Sequence, residues 1–304
     1  MNEYDVLVIG GGAAGLTAAM VLLRARRSVA VVDAGAPRNA PATAMHGFLS
    51  RDGMSPRELI EAGRAEVAGY GGILIDGTVV SARPGFHARL ADGTELRARK
   101  ILMATGLRDE VPDVPGVRER WGRDLLHCPY CHGHEVRDQP LGVLGAGSEA
   151  VQHALLIRQW SPDVTLFSNG DDLTPEQLEL LAARGVRVIT GSVARLVVTD
   201  DRLSGVELAG GVVVPRAAVF VRPRLVPNSD LLASLGCDTD AGGWVTHDTT
   251  GRTSIAGVRV AGNAADPRAQ VITAAGQGSA AAIATNAELV DEDLQRDLAA
   301  HRAR

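Results

Sequence analysis

Short apolar runs, each closed by a glycine-containing turn and followed by a stretch with helical spacing, recur along this chain. Asp5-Val6-Leu7-Val8-Ile9 is the first. It is continuous rather than alternating, as a strand buried on both faces of a parallel sheet reads. Gly10 to Gly15 follow at once, and a helix is predicted from Leu16 to about Ala25. The next strand, Ser28 to Val32, ends in Asp33. Residues 38–49 hold too many turn formers for regular structure, and Ser55-Pro56-Arg57-Glu58 opens a helix running to about Ala68. Short strands are predicted at 73–75, 78–80 and 86–90, with a hairpin turn at Asp92-Gly93-Thr94 and a buried strand at Lys100 to Ala104 before Thr105-Gly106.

The pattern then repeats. Leu141-Gly142-Val143-Leu144 runs into Gly145-Ala146-Gly147-Ser148-Glu149-Ala150, a helix to about Trp160 and a strand at Val164 to Phe167. A helix at 175–184, a strand at 186–189 and an antiparallel meander over 193–199, 204–208 and 212–214 follow. Pro112 and Pro115, and later Arg222-Pro223-Arg224, read as linkers. Val258 to Ala261 is a last strand, and Ala269 to Gly278 opens a long helix of small residues that admits close approach of a backbone or cofactor. The fold class expected is α/β, with two Rossmann-like dinucleotide-binding domains, the second inserted into the first. The boundaries expected are 1–110 with 223–304 for the first domain and 111–222 for the second.

Length and composition agree with two domains. The chain has 304 residues, 45% hydrophobic and 22% charged, with a net charge of −5. A mildly acidic balance argues against a nucleic-acid partner. The start, Met1-Asn2-Glu3-Tyr4-Asp5, lacks the basic start of a signal peptide and runs straight into a strand, and no apolar run reaches the roughly 20 residues of a membrane span. A cytoplasmic protein is expected, with no membrane partner.

Two stretches carry chemistry. In the first, Gly10-x-Gly12-x-x-Gly15 sits between strand and helix. Gly10 permits the turn, Gly12 lets a pyrophosphate reach the backbone, and Gly15 lets helix pack on strand. Asp33 lies where the fingerprint wants a carboxylate for a ribose hydroxyl pair. The second stretch is His127-Cys128-Pro129-Tyr130-Cys131-His132-Gly133-His134. Two thiols at this spacing close a readily opened disulfide loop, and an adjacent imidazole assists thiolate formation. In a reducing compartment such a pair is catalytic or metal-binding rather than structural. Structural zinc sites pair two separated ligand knuckles, and no second knuckle exists here, so no metal is expected. The third cysteine, Cys237, reads as a small semi-buried side chain.

Taken together, Gly10-x-Gly12-x-x-Gly15, Ala104-Thr105-Gly106, Cys128-Pro129-Tyr130-Cys131, Gly145-x-Gly147, Val260-Ala261-Gly262-Asn263 and Ile272-Thr273-Ala274-Ala275-Gly276 resemble the low-molecular-weight thioredoxin reductase family over nearly the whole chain. The resemblance implies a homodimer with FAD in the first dinucleotide unit. Gly10, Gly12, Ala13, Ala14, Gly15, Asp33, Thr105, Gly106, Gly262, Asn263, Gln270 and Val271 would be its binding residues, with Asn263 near the ribityl chain and Gln270 near the flavin ring. It also implies that Cys131 meets the flavin and Cys128 the substrate.

Three departures stand out. His132 replaces the aspartate that follows the second cysteine in the reductases, so the acid/base is an imidazole. Asn263 replaces an aspartate. Ser168-Asn169-Gly170-Asp171-Asp172 replaces the basic cluster that grips the 2′-phosphate of NADPH. These departures resemble the gliotoxin, holomycin and romidepsin dithiol oxidases, which oxidise a natural-product dithiol and pass its electrons through FAD to O2, giving H2O2. The resemblance therefore implies Cys128 and Cys131 as the redox pair, His132 as acid/base with His127 in support, and a small-molecule dithiol as substrate. The alternative is an NAD(P)H-dependent thioredoxin or disulfide reductase.

Overall fold

The computed structural model describes residues 2–83 and 85–304, with the backbone alone for Asn2. Met1, where the first expected domain segment begins, lies outside the described residues. In chain order the elements start with β1 (Asn2–Ile9), α1 (Ala13–Arg24), β2 (Val29–Asp33), α2 (Pro56–Gly69), β3 (Ile73–Asp76), β4 (Val79–Arg83), β5 (His87–Leu90), β6 (Glu95–Met103) and β7 (Leu107–Glu110). Then come α3 (Val117–Arg120), β8 (Leu125–Leu126), α4 (Pro129–His132), β9 (Leu141–Leu144), α5 (Gly147–Ile157), β10 (Val164–Phe167), α6 (Pro175–Ala183) and β11 (Arg187–Ile189). The chain ends with β12 (Val193–Thr199), β13 (Arg202–Leu208), β14 (Val213–Pro215), β15 (Ala218–Val221), β16 (Arg224–Pro227), α7 (Asp230–Ser234), β17 (Val258–Val260) and α8 (Val271–Arg302).

The chain forms two compact units. The first comprises Met1–Ala40, Ser55–Arg108 and Leu225–Arg304, and the second Pro41–Met54 and Asp109–Arg224. In the first, β3-β2-β1-β6 lie side by side and parallel, and β5 and β4 extend the sheet antiparallel. Strand β6 serves two neighbours on its far side. Its early residues pair with β5, and Ile101 to Met103 pair in parallel with β17. Residues of alternate parity along β1 bury into opposite faces, Leu7 and Ile9 on one and Val6 and Val8 on the other.

Helix α1 starts at Ala13, three residues earlier than its apolar spacing indicates, because the glycine turn feeds directly into it. The small-residue character of α8 serves α1. A Cβ on Gly278 would lie 2.1 Å from the Ala14 carbonyl oxygen, so only glycine allows the two helices this close. Lower down, α8 turns carboxylates to the sheet. Lys100, the only lysine, is buried and paired with Glu292 and with Glu288 at 3.6 Å, so its charge is compensated.

The second unit is built on a five-stranded parallel sheet, β11-β10-β9-β15-β8. The antiparallel meander β12-β13-β14 is present as its alternation indicates. Phe167, Phe220, Leu141, Ile157 and Leu166 are among its fully buried side chains. Both units start a helix with the same device. Ser55 and Glu58 form a reciprocal capping box at α2, as do Thr174 and Gln177 at α6, each with proline at the head of the helix. Short elements such as α3, α4, α7 and β8 carry no periodic signal and are not visible in the sequence pattern.

Candidate functional site

The redox stretch lies in the second unit. Cys128 and Cys131 form a disulfide, with their Cα atoms 5.3 Å apart. The turn that brings them together is α4. Cys128 is its N-cap in extended conformation, Pro129 supplies the fixed φ of the first helical position, and Cys131 N–H donates to Cys128 Sγ at 3.2 Å. Both cysteines are half-buried and Tyr130 between them is exposed, its ring edge-on to Trp160 at 5.5 Å. Gly133 ends the turn against the same indole, where a Cβ would meet Trp160 Cδ1 at 2.8 Å.

His132 is half-buried beside Cys131, and burial lowers its pKa, opposed by the charge of Glu135 and reinforced by that of His46. An imidazole kept neutral in this way accepts a thiol proton at neutral pH. His127 approaches the Val221 carbonyl oxygen through Nδ1, at 3.3 Å. His134 is exposed.

Two neighbours of this stretch are not recoverable from spacing. His46, in the segment Pro41–Met54, reaches Glu135 Oε1 through Nε2 at 3.5 Å and Asp52 Oδ2 through Nδ1 at 3.3 Å. His153 on α5 is buried behind His127, with ring centroids 6.4 Å apart, and stands edge-on to Phe220. Its Nδ1 has no hydrogen-bond partner, and burial, with the charges of His127 and Arg222, pushes its pKa down to about 4. A helical histidine on an apolar face gives no sequence signal of this kind. Cys237 is buried, its Sγ 3.6 Å from Thr253 Oγ1, and burial raises its pKa, as suits an inert thiol.

The residues expected to hold FAD lie in the first unit, several of them packed where β1, β2, β6 and β17 end. Gly10 has φ +109°, and a Cβ there would strike the Ala104 carbonyl oxygen at 2.2 Å. Gly15 faces the Gly10 carbonyl as closely, and Gly262 packs on the Ala14 methyl. Gly11, which spacing does not single out, is required by Asp33. Its N–H donates to Asp33 Oδ1 at 3.0 Å, and a Cβ would lie 2.8 Å from the Asp33 side chain. Thr105 and Gly106 are tied to Asn228, whose Nδ2 donates to the Thr105 carbonyl at 2.9 Å. Asn263 Nδ2 donates to the carbonyls of Asp266 and Ala269, which fixes the turn leading to Gln270, the N-cap of α8, and Val271, its first residue.

This arrangement fits a dinucleotide. Apart from their chain neighbours, no atom of the described residues lies within 4 Å of a Cβ built on Gly12 or Gly106. The head of α1 has no side-chain cap and no acidic residue in its first turn, so its N–H groups and positive end are available to an anion. The sheet order puts this opening at the carboxyl ends of the strands, where dinucleotides bind in this architecture.

The fold and this pair of sites define a flavin-dependent disulfide oxidoreductase. Residues 4–278 match the family described as pyridine nucleotide-disulphide oxidoreductase, and the chain belongs to that family. It is an FAD-binding oxidoreductase of the thioredoxin reductase-like type. It is 59% identical to the protein in the crystal structure of HlmI, with a TM-score of 0.95 over 97% of this chain and 95% of that one. It is 31% identical to thioredoxin reductase sirT of Leptosphaeria maculans, over 96% of both chains. The crystal structure of a putative thioredoxin reductase TrxB from Bacillus anthracis is similar at 35% identity and TM-score 0.91, covering 95% of this chain and 99% of that one. Among the described residues no helix is long and apolar enough to cross a membrane.

Proposed function

We propose that the protein is a dithiol oxidase that closes a disulfide in a small-molecule natural product. The observation that carries this reading is the Cys128–Cys131 disulfide beside a neutral His132 where the reductases have a carboxylate. The loop after β10 supports it, since residues 168–172 supply two carboxylates and no cation to a nicotinamide nucleotide. The likeness to HlmI and to thioredoxin reductase sirT supports the broader class of this reading, a thioredoxin reductase-like oxidoreductase.

The steps follow from thiol–disulfide exchange. His132, supported by His127, takes the proton of one substrate thiol. The thiolate attacks Cys128 Sγ, the Cys128–Cys131 bond breaks, and Cys131 leaves as a thiolate. The second substrate thiolate attacks the substrate sulfur of the mixed disulfide and expels Cys128. The product leaves as a cyclic disulfide, oxidised by two electrons that remain on the enzyme as the reduced Cys128 and Cys131 pair. FAD, when bound, would supply a two-electron acceptor for the reduced cysteine pair, with O2 as the final acceptor and H2O2 as its product. Gly10, Gly12, Ala13, Ala14 and Gly15 would hold its pyrophosphate and Asp33 a ribose, while Thr105, Gly106, Gly262, Asn263, Gln270 and Val271 would line the rest.

In this reading residues 1–110 with 223–304 are the FAD-binding domain and 111–222 the domain of the cysteine pair. The protein works as a homodimer, as the resemblance implies, and in the cytoplasm. The test is anaerobic. The yellow protein is mixed separately with NADPH, NADH and a small dithiol such as dithiothreitol. Bleaching by dithiol alone, with H2O2 on admitting air, supports the oxidase. Fast bleaching by either nicotinamide overturns it in favour of the reductase.

A further inference from the structure

The second unit repeats the turn of the first. Gly10 N–H donates to the Val32 carbonyl and Gly145 N–H to the Phe167 carbonyl, so Gly145, Ala146, Gly147, Glu149 and Ser168 stand where Gly10, Gly11, Gly12, Ala14 and Asp33 stand in the first. Ala146 carries the Cβ that Gly11 lacks, and the acid at the strand end is gone, replaced by a fully buried serine. One N–H at the head of α5 is nevertheless bonded by a carboxylate. Gly147 N–H, at the first residue of the helix, donates to Asp171 Oδ2 at 2.7 Å.

This carboxylate is held firmly. Ser168 Oγ donates to the Asp171 carbonyl at 2.7 Å and Asp171 N–H to the Ser168 carbonyl at 3.1 Å. Gly170 N–H donates to the Thr190 carbonyl at 3.0 Å, and Val193 N–H to Asn169 Oδ1 at 2.8 Å. Asn169 and Gly170 take positive φ, at 54° and 87°, which turns the chain back toward α5. A second carboxylate, Glu149, occupies the first turn of α5, with Arg222 Nη1 3.9 Å from it.

We propose that Asp171 is a built-in anion that takes the phosphate seat of the second dinucleotide fold and so sets the electron-donor specificity of the enzyme. A helix head binds pyrophosphate through exposed N–H groups and its dipole. Here one such N–H is bound to the chain's own carboxylate, whose ordering is already provided by folding. An incoming diphosphate must displace Asp171 and then sit beside two carboxylates. The inference rests on the oxidase reading and deepens it, since it names the residue that denies nicotinamide nucleotides a place.

The test is calorimetric titration of NADH into the FAD-loaded, oxidised wild-type protein and into D171A, D171N and D172A. Thermal melting checks that each is folded, and D171N, which keeps the side-chain shape, carries the test where D171A fails to fold. The expected order of affinity is D171A above D171N above wild type, with D171A at least about tenfold tighter than wild type, or about 1.4 kcal/mol. D172A stays within twofold of wild type, because Asp172 makes no bond to α5 among the hydrogen bonds of the described residues. Equal affinity of wild type and both Asp171 variants overturns the inference, as does a gain in D172A matching that in D171A, which would mean diffuse repulsion. Anaerobic bleaching of wild-type flavin by NADH sinks the oxidase reading as well. Dithiol-only bleaching with no gain in the Asp171 variants sinks this inference alone.

Discussion

Gly12 and Gly147 occupy the same place in two copies of one fold, and what faces them is opposite. Around Gly12 the helix head has no side-chain cap, no acid stands in the first turn, and the carboxylate of Asp33 accepts from Gly11 N–H. Around Gly147 the carboxylate of Asp171 bonds the helix head and Glu149 stands in the first turn. The same helix-head position carries no side-chain cap in one copy and a carboxylate bonded to its N–H in the other. A glycine turn between strand and helix specifies geometry, and in the second copy a side chain four residues past the next strand, Asp171, bonds the helix head that this geometry offers. The second copy keeps its fold because the packing of Phe167, Leu141 and Ile157 does not depend on the ligand.

If the first copy holds the flavin and the second the working disulfide, the two functions separate by mutation. Cys128→Ser and Cys131→Ser should each cut dithiol turnover by at least about a thousandfold, with flavin absorbance retained. Loss of flavin in either would break the division of labour. The next effect is on stability. His153 is neutral in the folded chain down to a pKa of about 4, whereas an unfolded histidine titrates near 6.5. Between these values the unfolded state binds a proton that the folded state does not, so stability falls as pH drops from 6.5 to 4, by about 3 kcal/mol at most. Urea midpoints against pH should show this slope in wild type and lose it in His153→Phe; an unchanged slope would place the acid sensitivity elsewhere.

His132→Asn should lower dithiol turnover by about a hundredfold. Because burial lowers the His132 pKa, the acid limb of the wild-type pH–rate profile should lie below the ordinary imidazole value and vanish in the variant. A retained limb would assign the base to His127. The smallest effects test what the units share. Ser55→Ala and Thr174→Ala each remove one capping box and should each cost about 1 kcal/mol of stability by chemical denaturation. Unequal costs would show that the two units do not rest on their helix caps alike.

Much of this was readable from the residues. Continuous apolar runs gave the parallel strands, because a strand buried on both faces has no polar alternation to hide it. The cysteine pair and its histidines were visible because their spacing is local. What was not legible depends on chain segments meeting from afar. Asp171 could be seen as a missing cation but not as a bond to Gly147, since that depends on the backbone turning at Asn169 and Gly170. His153 and His46 are silent in sequence for the same reason. His153 faces His127 from a different part of the chain, and His46 meets Glu135 only across the intervening segment Ser55–Arg108. The small residues of α8 were read as room for a cofactor or backbone, and Gly278 shows a backbone, that of Ala14.

The insertion also imposes an order in time. Strand β17, the Gly262–Asn263 turn and α8 complete the first unit, yet they leave the ribosome only after all of Asp109–Arg224 has been made. Until then β6 lacks its β17 partner, the apolar face of α1 lies bare of α8, and Lys100 waits without its carboxylates. The inserted unit is therefore complete in sequence while the unit around it is still an open scaffold. Nascent chains should thus pass through a stage in which the thiols are already folded and can be oxidised, but there is as yet no finished cradle for the flavin.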